Sequence, residues 1–155
     1  MQPPALLMRH GHRLIQLGVA LFLFTSFWGF AVHNVAAPRL GLSVHTLAGI
    51  EGVLLIALGL VWQRLQFGNA MSRIAFWLLI YSALATLVPY VLAALWGAGN
   101  ETLSLAAGSA HGTAQQEAVI RNVIYTAAPA GIASFALILW GLRLNTRVKR
   151  ETGAA

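Results

Sequence analysis

Four long apolar runs divide the chain, about residues 14–36, 42–62, 74–96 and 118–142. A bilayer core takes about 20 mostly apolar residues per helix, and each run meets that length. The break between the second and third runs is short and polar, Gln63 to Arg73, with Gly68 and Asn69 as turn residues. Pro38 is expected to close the first helix, since proline cannot continue one. The longest connection, Gly97 to Glu117, is rich in Gly, Ala, Ser and Thr and is expected to order as a cap over the bundle. The first run starts beside Arg9 and Arg13, but it is longer than the roughly 7–15 residues of a signal-peptide core. It reads as a retained span.

Composition narrows the class. Of 155 residues, 58% are hydrophobic and 9% charged, too few charges to cover a surface in water, where about a quarter is usual. Disorder needs the opposite composition. There is no cysteine, which removes disulfides, thiolate metal sites and cysteine nucleophiles. The net charge of +6 belongs to membrane anchoring and not to nucleic acid, which needs a basic face on a soluble fold. Arg9, Arg13, Arg64, Arg73, Arg143, Arg147, Lys149 and Arg150 fall on the side holding both termini, and only Arg39 and Arg121 on the other. The positive-inside rule then puts both termini in the cytoplasm. The five tryptophans, Trp28, Trp62, Trp77, Trp96 and Trp140, read as interfacial belt residues. No internal repeat suggests inverted transporter halves. The expected fold is all-α: one polytopic four-helix transmembrane domain over 1–155, ending in a flexible basic tail at 143–155, in the bacterial inner membrane. Ala127, Ala130, Gly131 and Ser134 would allow close helix contact, consistent with oligomers.

Polar groups inside spans are costly and mark function. His45 sits about one turn inside the outer end of the second span, and Glu51 about 9 Å deeper. Thr86 and Tyr90 share one face of the third helix, while Arg121, Asn122, Tyr125 and Thr126 occupy the first turns of the fourth. The other half of the bundle carries few: Gln16, Thr25, Ser26 and Ser82. Pro89 and Pro129 each free a carbonyl, those of Ala85 and Tyr125, at the same level. A polar pocket in the outer half accounts for all of these. A carboxylate at the depth of Glu51 costs several kcal/mol unless paired or protonated; its expected partners are Arg121, a histidine or a ligand, and it is a candidate proton donor. His45 either caps its helix or offers the single axial ligand that haem requires. The six-residue spacing puts His45 and Glu51 about 120° apart, so they cannot bind one metal side by side. His33 and Asn34 read as interfacial, and His10, between Arg9 and Gly11, as solvated. There is no HExxH, no usable Ser-His-Asp set and no phosphate loop.

Several segments resemble the hydroxylaminobenzene mutases: Arg9-His10-Gly11-His12-Arg13-Leu14, Gln16-Leu17-Gly18, Pro38-Arg39-Leu40-Gly41-Leu42-Ser43 with His45, Glu51-Gly52, Leu58-Gly59-Leu60-Val61-Trp62, Trp96-Gly97-Ala98-Gly99, and Gly112-Thr113 with Gln116-Glu117. The resemblance spans about residues 9–143. Those membrane enzymes turn arylhydroxylamines into aminophenols without net redox change. More distantly the chain is similar to styrene oxide isomerase, a four-span trimer holding ferric haem b between subunits. That family pairs its haem-ligating histidine with an asparagine six residues on, and a second asparagine with a tyrosine four on. Here the pairs read His45 with Glu51 and Thr86 with Tyr90; both asparagines are replaced. The resemblance implies a membrane isomerase acting on a small lipid-partitioning aromatic, a homotrimer with ferric haem b as Lewis acid and His45 as metal ligand. Glu51, Tyr90 and Thr86 take the catalytic roles, and Arg121, Asn122 and Tyr125 join His45 around the cofactor. The alternatives are an epoxide isomerase of the styrene oxide type, or a haem-binding electron-transfer or structural subunit of the membrane. The last usually wants two axial ligands, for which His33 is the other candidate.

Overall fold

The computed structural model describes residues 5–143. The basic tail expected over 143–155 lies, beyond Arg143, outside the described residues. Four long helices carry the fold: α1 (Ala5–Ala31), α2 (Pro38–Val61), α3 (Asn69–Trp96) and, after the single turn α4 (Ser104–Ala107), α5 (Ala114–Gly141). All four are long and apolar enough to cross a membrane, so the protein is an all-α membrane protein as its hydropathy predicts. The helices start four or more residues ahead of their apolar runs, because backbone hydrogen bonding continues through polar residues beyond the bilayer edge. Pro38 departs from expectation. The first helix already ends at Ala31 with a 3-10 turn over Val32–Asn34, and Pro38 opens α2 as a first-turn residue, where a missing N–H costs nothing.

Glycines set the α1–α2 seam. The helices run antiparallel with Gly11 against Gly59 and, one heptad on, Gly18 against Gly52. A Cβ on Gly11 would lie 2.7 Å from the Gly59 carbonyl oxygen, and one on Gly18 only 2.6 Å from that of Gly52. The backbones touch there, which no larger residue permits. The third rung of the same heptad pairs Thr25 with His45. On the other side of the molecule, α5 lies along α3. Ser134 Oγ donates to the Ala75 carbonyl (3.2 Å) and Ser82 Oγ to that of Ala127 (3.1 Å), with Gly131 against Ser82. The small residues of α5 expected to favour oligomers, Ala127, Ala130, Gly131 and Ser134, are therefore spent within the chain, all buried at the seam with α3. The two pairs meet chiefly through α2 and α3, while α1 and α3 touch only slightly.

Two apolar cores result. The one at the cap end gathers Leu40, Val44, Ala48, Leu87, Ala93 and Ile120. The one at the termini end gathers Leu7, Leu14, Leu55, Trp62, Phe76 and Leu79. Two expectations change here. Trp62 is fully buried instead of interfacial, and its Nε1 donates to Ser72 Oγ (3.2 Å). His10 is 5% exposed instead of solvated; its Nδ1 lies 2.9 Å from the same hydroxyl and its ring stacks on Phe76. Helix α1 begins well before the apolar run, which carries His10 into the packing.

The 97–113 connection does order as a cap. Gly97, at φ 64°, ends α3 in the left-handed region that glycine favours. Thr113 and Gln116 form a reciprocal capping box at the start of α5. Arg39 donates to the Leu105 carbonyl (3.1 Å), Asn100 bonds the Gly108 carbonyl, and the Ala37 N–H reaches the Ala94 carbonyl (3.0 Å).

Candidate active site

Glu51 lies 13 residues into α2, about 20 Å from the cap end, close to the middle of the helix and surrounded by apolar side chains. It is 9% exposed, and its Oε2 is buried without a hydrogen-bond partner. Glu51 belongs to the wall of a cavity of about 480 Å³ between α1, α2 and α3. Leu17, Ala20, Leu21 and Phe24 of α1 form one side, Leu55 extends the Glu51 side, and Ile80, Ala83, Leu84, Leu87 and Val88 of α3 face them. Glu51 is the only polar side chain in that lining. Because α1 and α3 hardly touch, the cavity is a cleft opening laterally where lipid would stand. It shares Leu17, Ala20 and Ile80 with a second hollow that reaches Arg13 and Gln16 toward the termini. An unpaired carboxyl group in apolar surroundings is expensive to bury. A ligand bearing N–H or O–H groups would supply what it lacks, and the cleft has room for an aromatic ring.

His45 is half-buried in a different place, a groove on the far side of α2 formed with Phe22, Thr25, Thr46, Gly49, Ile50 and Val53. Its Nδ1 donates to the Thr25 carbonyl at 2.9 Å, and Nε2 makes no hydrogen bond among the described residues. A Cβ on Gly49 would meet nothing within 4 Å, so the helix presents a bare strip beside the imidazole. This donor set fits the group that the resemblance implies: one imidazole whose other nitrogen is anchored on a carbonyl, beside a flat apolar face able to take a macrocycle. No group of three or more metal-ligating side chains occurs among the described residues.

The remaining expected residues disperse. Tyr90 borders a groove on the α3 side of α2 with Leu42, Ser43, Thr46, Leu47 and Ile50, sharing Thr46 and Ile50 with the His45 groove. Thr86 turns its hydroxyl to the Ser82 carbonyl of its own helix (2.8 Å). Arg121 pairs with Glu101 (2.9 Å), both partly exposed, and so does not neutralise Glu51. Asn122 is exposed, and Tyr125 is 66% exposed on the outer face of α5. A single polar chamber is therefore not assembled within one copy of the chain. The hydroxyls do not need one: Ser26, Ser43, Thr46 and Thr86 each bond a carbonyl one turn back, a standard way of hiding a hydroxyl in a helix.

Sequence reasoning missed the cleft walls, since a leucine facing a cavity and one facing lipid look alike. It also missed Gly29, and it set Thr25 in the other half of the bundle, whereas the antiparallel packing of α1 on α2 brings Thr25 against His45. The signal for the Thr25–His45 contact was present as a heptad of small residues, Gly11, Gly18 and Thr25, set against Gly59, Gly52 and His45.

A helical membrane protein with one buried acid in an apolar, ring-sized cleft is a narrow class. The chain belongs to the styrene oxide isomerase family, whose model matches residues 10–143. It is 39% identical over 142 residues to hydroxylaminobenzene mutase HabB of Ectopseudomonas oleovorans, covering 92% of this chain and 86% of the relative. It is 36% identical over 129 residues to hydroxylaminobenzene mutase HabA of the same organism, covering 83% and 96%. No solved structure matches. The protein is accordingly an enzyme, an isomerase of the mutase kind.

Proposed function

We propose that the protein isomerises arylhydroxylamines such as hydroxylaminobenzene to 2-aminophenols, with the ring held in the α1–α2–α3 cleft and Glu51 handling the proton. The observation that carries this reading is the buried, unpartnered Glu51 oxygen in an otherwise apolar wall. Glu51 in its acid form donates a proton to the N–OH oxygen. The N–O bond breaks, water leaves, and the positive charge spreads from nitrogen into the ring. Water then adds at the carbon next to the C–N bond, and the Glu51 carboxylate takes the proton released from it. Transfer of the ring hydrogen to nitrogen restores aromaticity. Atoms and electrons balance, and Glu51 ends as it began. The apolar walls keep bulk water from the cation, so the addition is confined to one position.

Ferric haem b belongs to the same proposal. His45 would hold it through Nε2 beside Gly49, Phe22, Ile50 and Val53; that groove lies on the far side of α2 from Glu51, so the Lewis acid it would supply could polarise the N–O bond only in the cleft of a neighbouring copy. Tyr90, Thr86, Arg121, Asn122 and Tyr125 keep their proposed roles only across a subunit boundary, in the homotrimer that the family resemblance implies. Cytoplasmic termini and the inner membrane complete the proposal.

The family match favours a second reading, rearrangement of an epoxide. Membranes containing the protein are to be given hydroxylaminobenzene and styrene oxide in parallel. Formation of 2-aminophenol, lost in Glu51→Leu, supports the first reading; turnover of the epoxide alone replaces it. Purified protein is expected to show a Soret band that disappears in His45→Ala, and a colourless active enzyme removes haem from the proposal.

A further inference from the structure

The third rung of the glycine seam is occupied by a threonine and a histidine where the first two hold glycine pairs. Close approach at Gly11–Gly59 and Gly18–Gly52 brings the α1 backbone within reach of an α2 side chain. The His45 Nδ1 lies 2.9 Å from the Thr25 carbonyl oxygen and 3.2 Å from Thr25 Oγ1. The Thr25 hydroxyl gives its own hydrogen to the His45 carbonyl at 2.5 Å. Its proton is thereby committed, and Oγ1 can only accept from the ring. Both atoms facing Nδ1 are acceptors, so Nδ1 must carry the hydrogen. In a neutral imidazole this leaves Nε2 as a bare lone pair.

Gly29 completes the receptacle. One turn beyond Thr25, it lies under the ring: a Cβ there would stand 3.2 Å from His45 Cε1 and 3.3 Å from Nδ1. An alanine would press on the imidazole edge that has to reach the carbonyl.

We propose that Thr25 and Gly29 are positioning residues that hold His45 as its Nδ1–H tautomer and so offer an unprotonated Nε2 to an electrophilic metal centre lying beside Gly49. The inference rests on the reading of His45 as a ligand, but its first half concerns the chain alone. A ligand histidine whose remaining N–H is anchored on a carbonyl is fixed in ring orientation and made more basic at the ligating nitrogen, and losing such an anchor typically costs 10–100-fold in metal affinity.

Nitrogen-15 NMR of the full chain in lipid nanodiscs, labelled at histidine and purified before haem is added, tests this directly. His45 is assigned by loss of its signals in His45→Gln. The wild-type protein should show a protonated Nδ1 and an unprotonated Nε2. Gly29→Ala should mix the tautomers and weaken haem binding in a Soret titration by roughly tenfold or more; the change raises helix propensity, so folding is not at risk. Thr25→Val should shift the ring nitrogens in the same direction, and Thr25→Ser should restore them. A protonated Nε2 in the wild type, or nitrogen signals unchanged in both Gly29→Ala and Thr25→Val, overturns the proposal. The expected tautomer without any Soret band on adding haem leaves the receptacle standing and rejects His45 as a haem ligand, so the two failures are distinguishable.

Discussion

Two glutamates are buried among the described residues, and they are buried in opposite ways. Glu117, 4% exposed at the start of α5, accepts from the N–H groups of Gly99 (2.7 Å), Gly112 (3.0 Å) and Glu101 (3.4 Å). It ties both ends of the cap to one helix, and its oxygens are used. Glu51, at 9%, has an oxygen with nothing to bond and a cavity beside it. A carboxylate surrounded by backbone donors stabilises what it touches. One left unpartnered against apolar walls works against folding, and the proposed function gives it a partner in what enters the cavity. Burial alone says little; what decides between scaffold and chemistry is whether the hydrogen bonds are filled.

Substitution at both positions puts the largest expected effect on that contrast. Glu51→Gln keeps the shape and removes the acid, so turnover should fall by about 10²–10⁴-fold, the usual worth of a placed general acid. The thermal midpoint should hold, and Glu51→Leu should raise it, because an apolar side chain removes an unmet demand. A lowered midpoint in Glu51→Leu would show that this carboxyl is structural after all, and the contrast would fail. Glu117→Ala should do the reverse. Three N–H groups lose their acceptor, at a cost of about 2–3 kcal/mol in stability, and the 99–112 segment should become open to protease. Activity per folded molecule should change far less than in Glu51→Gln.

The four helices and the capping loop were legible from the chain, because span length is a one-dimensional property; Glu51, read as part of an outer-half pocket, stands near the middle of α2 because that helix starts before its apolar run. Other features depend on which helix lies against which. Glu117 sits beside a capping-box pattern, Thr113 and Gln116, yet its partners Gly99 and Gly112 are brought to it only by the folded loop. Thr86, Arg121 and Tyr125 occupy the depth that the sequence gives them, but azimuth is settled by packing, and their helices turn them elsewhere. His10 and Trp62 look like terminal residues and are instead joined through Ser72, a hydroxyl ten residues past the tryptophan.

That Ser72 node is the third case, a filled network at the end opposite Glu117. Ser72→Ala strands the Trp62 N–H and the ring nitrogen of His10 together, in a region where Ser72 is 1% exposed. Stability should drop by about 1–2 kcal/mol, less than for Glu117→Ala because two groups are stranded instead of three. Catalysis should be untouched, since none of the three side chains borders the Glu51 cleft. Chemical denaturation read beside turnover checks both halves. A large loss of turnover without loss of stability would connect this end to the chemistry.

The smallest effect is expected at Arg121, which also tests how far a single copy explains the site. Its guanidinium meets Glu101 at 2.9 Å, but the side chains are 43% and 53% exposed, and such a pair contributes at most about 1 kcal/mol and less in salt. Within the chain, then, Arg121→Gln should barely move the thermal midpoint. The proposed site instead sets Arg121 beside the cofactor, a role it cannot reach from its own cleft and could take only beside a second copy. Glu101→Gln separates the possibilities, for it breaks the same ion pair and leaves the arginine in place. If the two variants behave alike in stability and in Soret titration, Arg121 does nothing beyond holding the cap. If Arg121→Gln alone weakens haem binding, the guanidinium serves a neighbouring subunit, and the polar half of the site is built between chains.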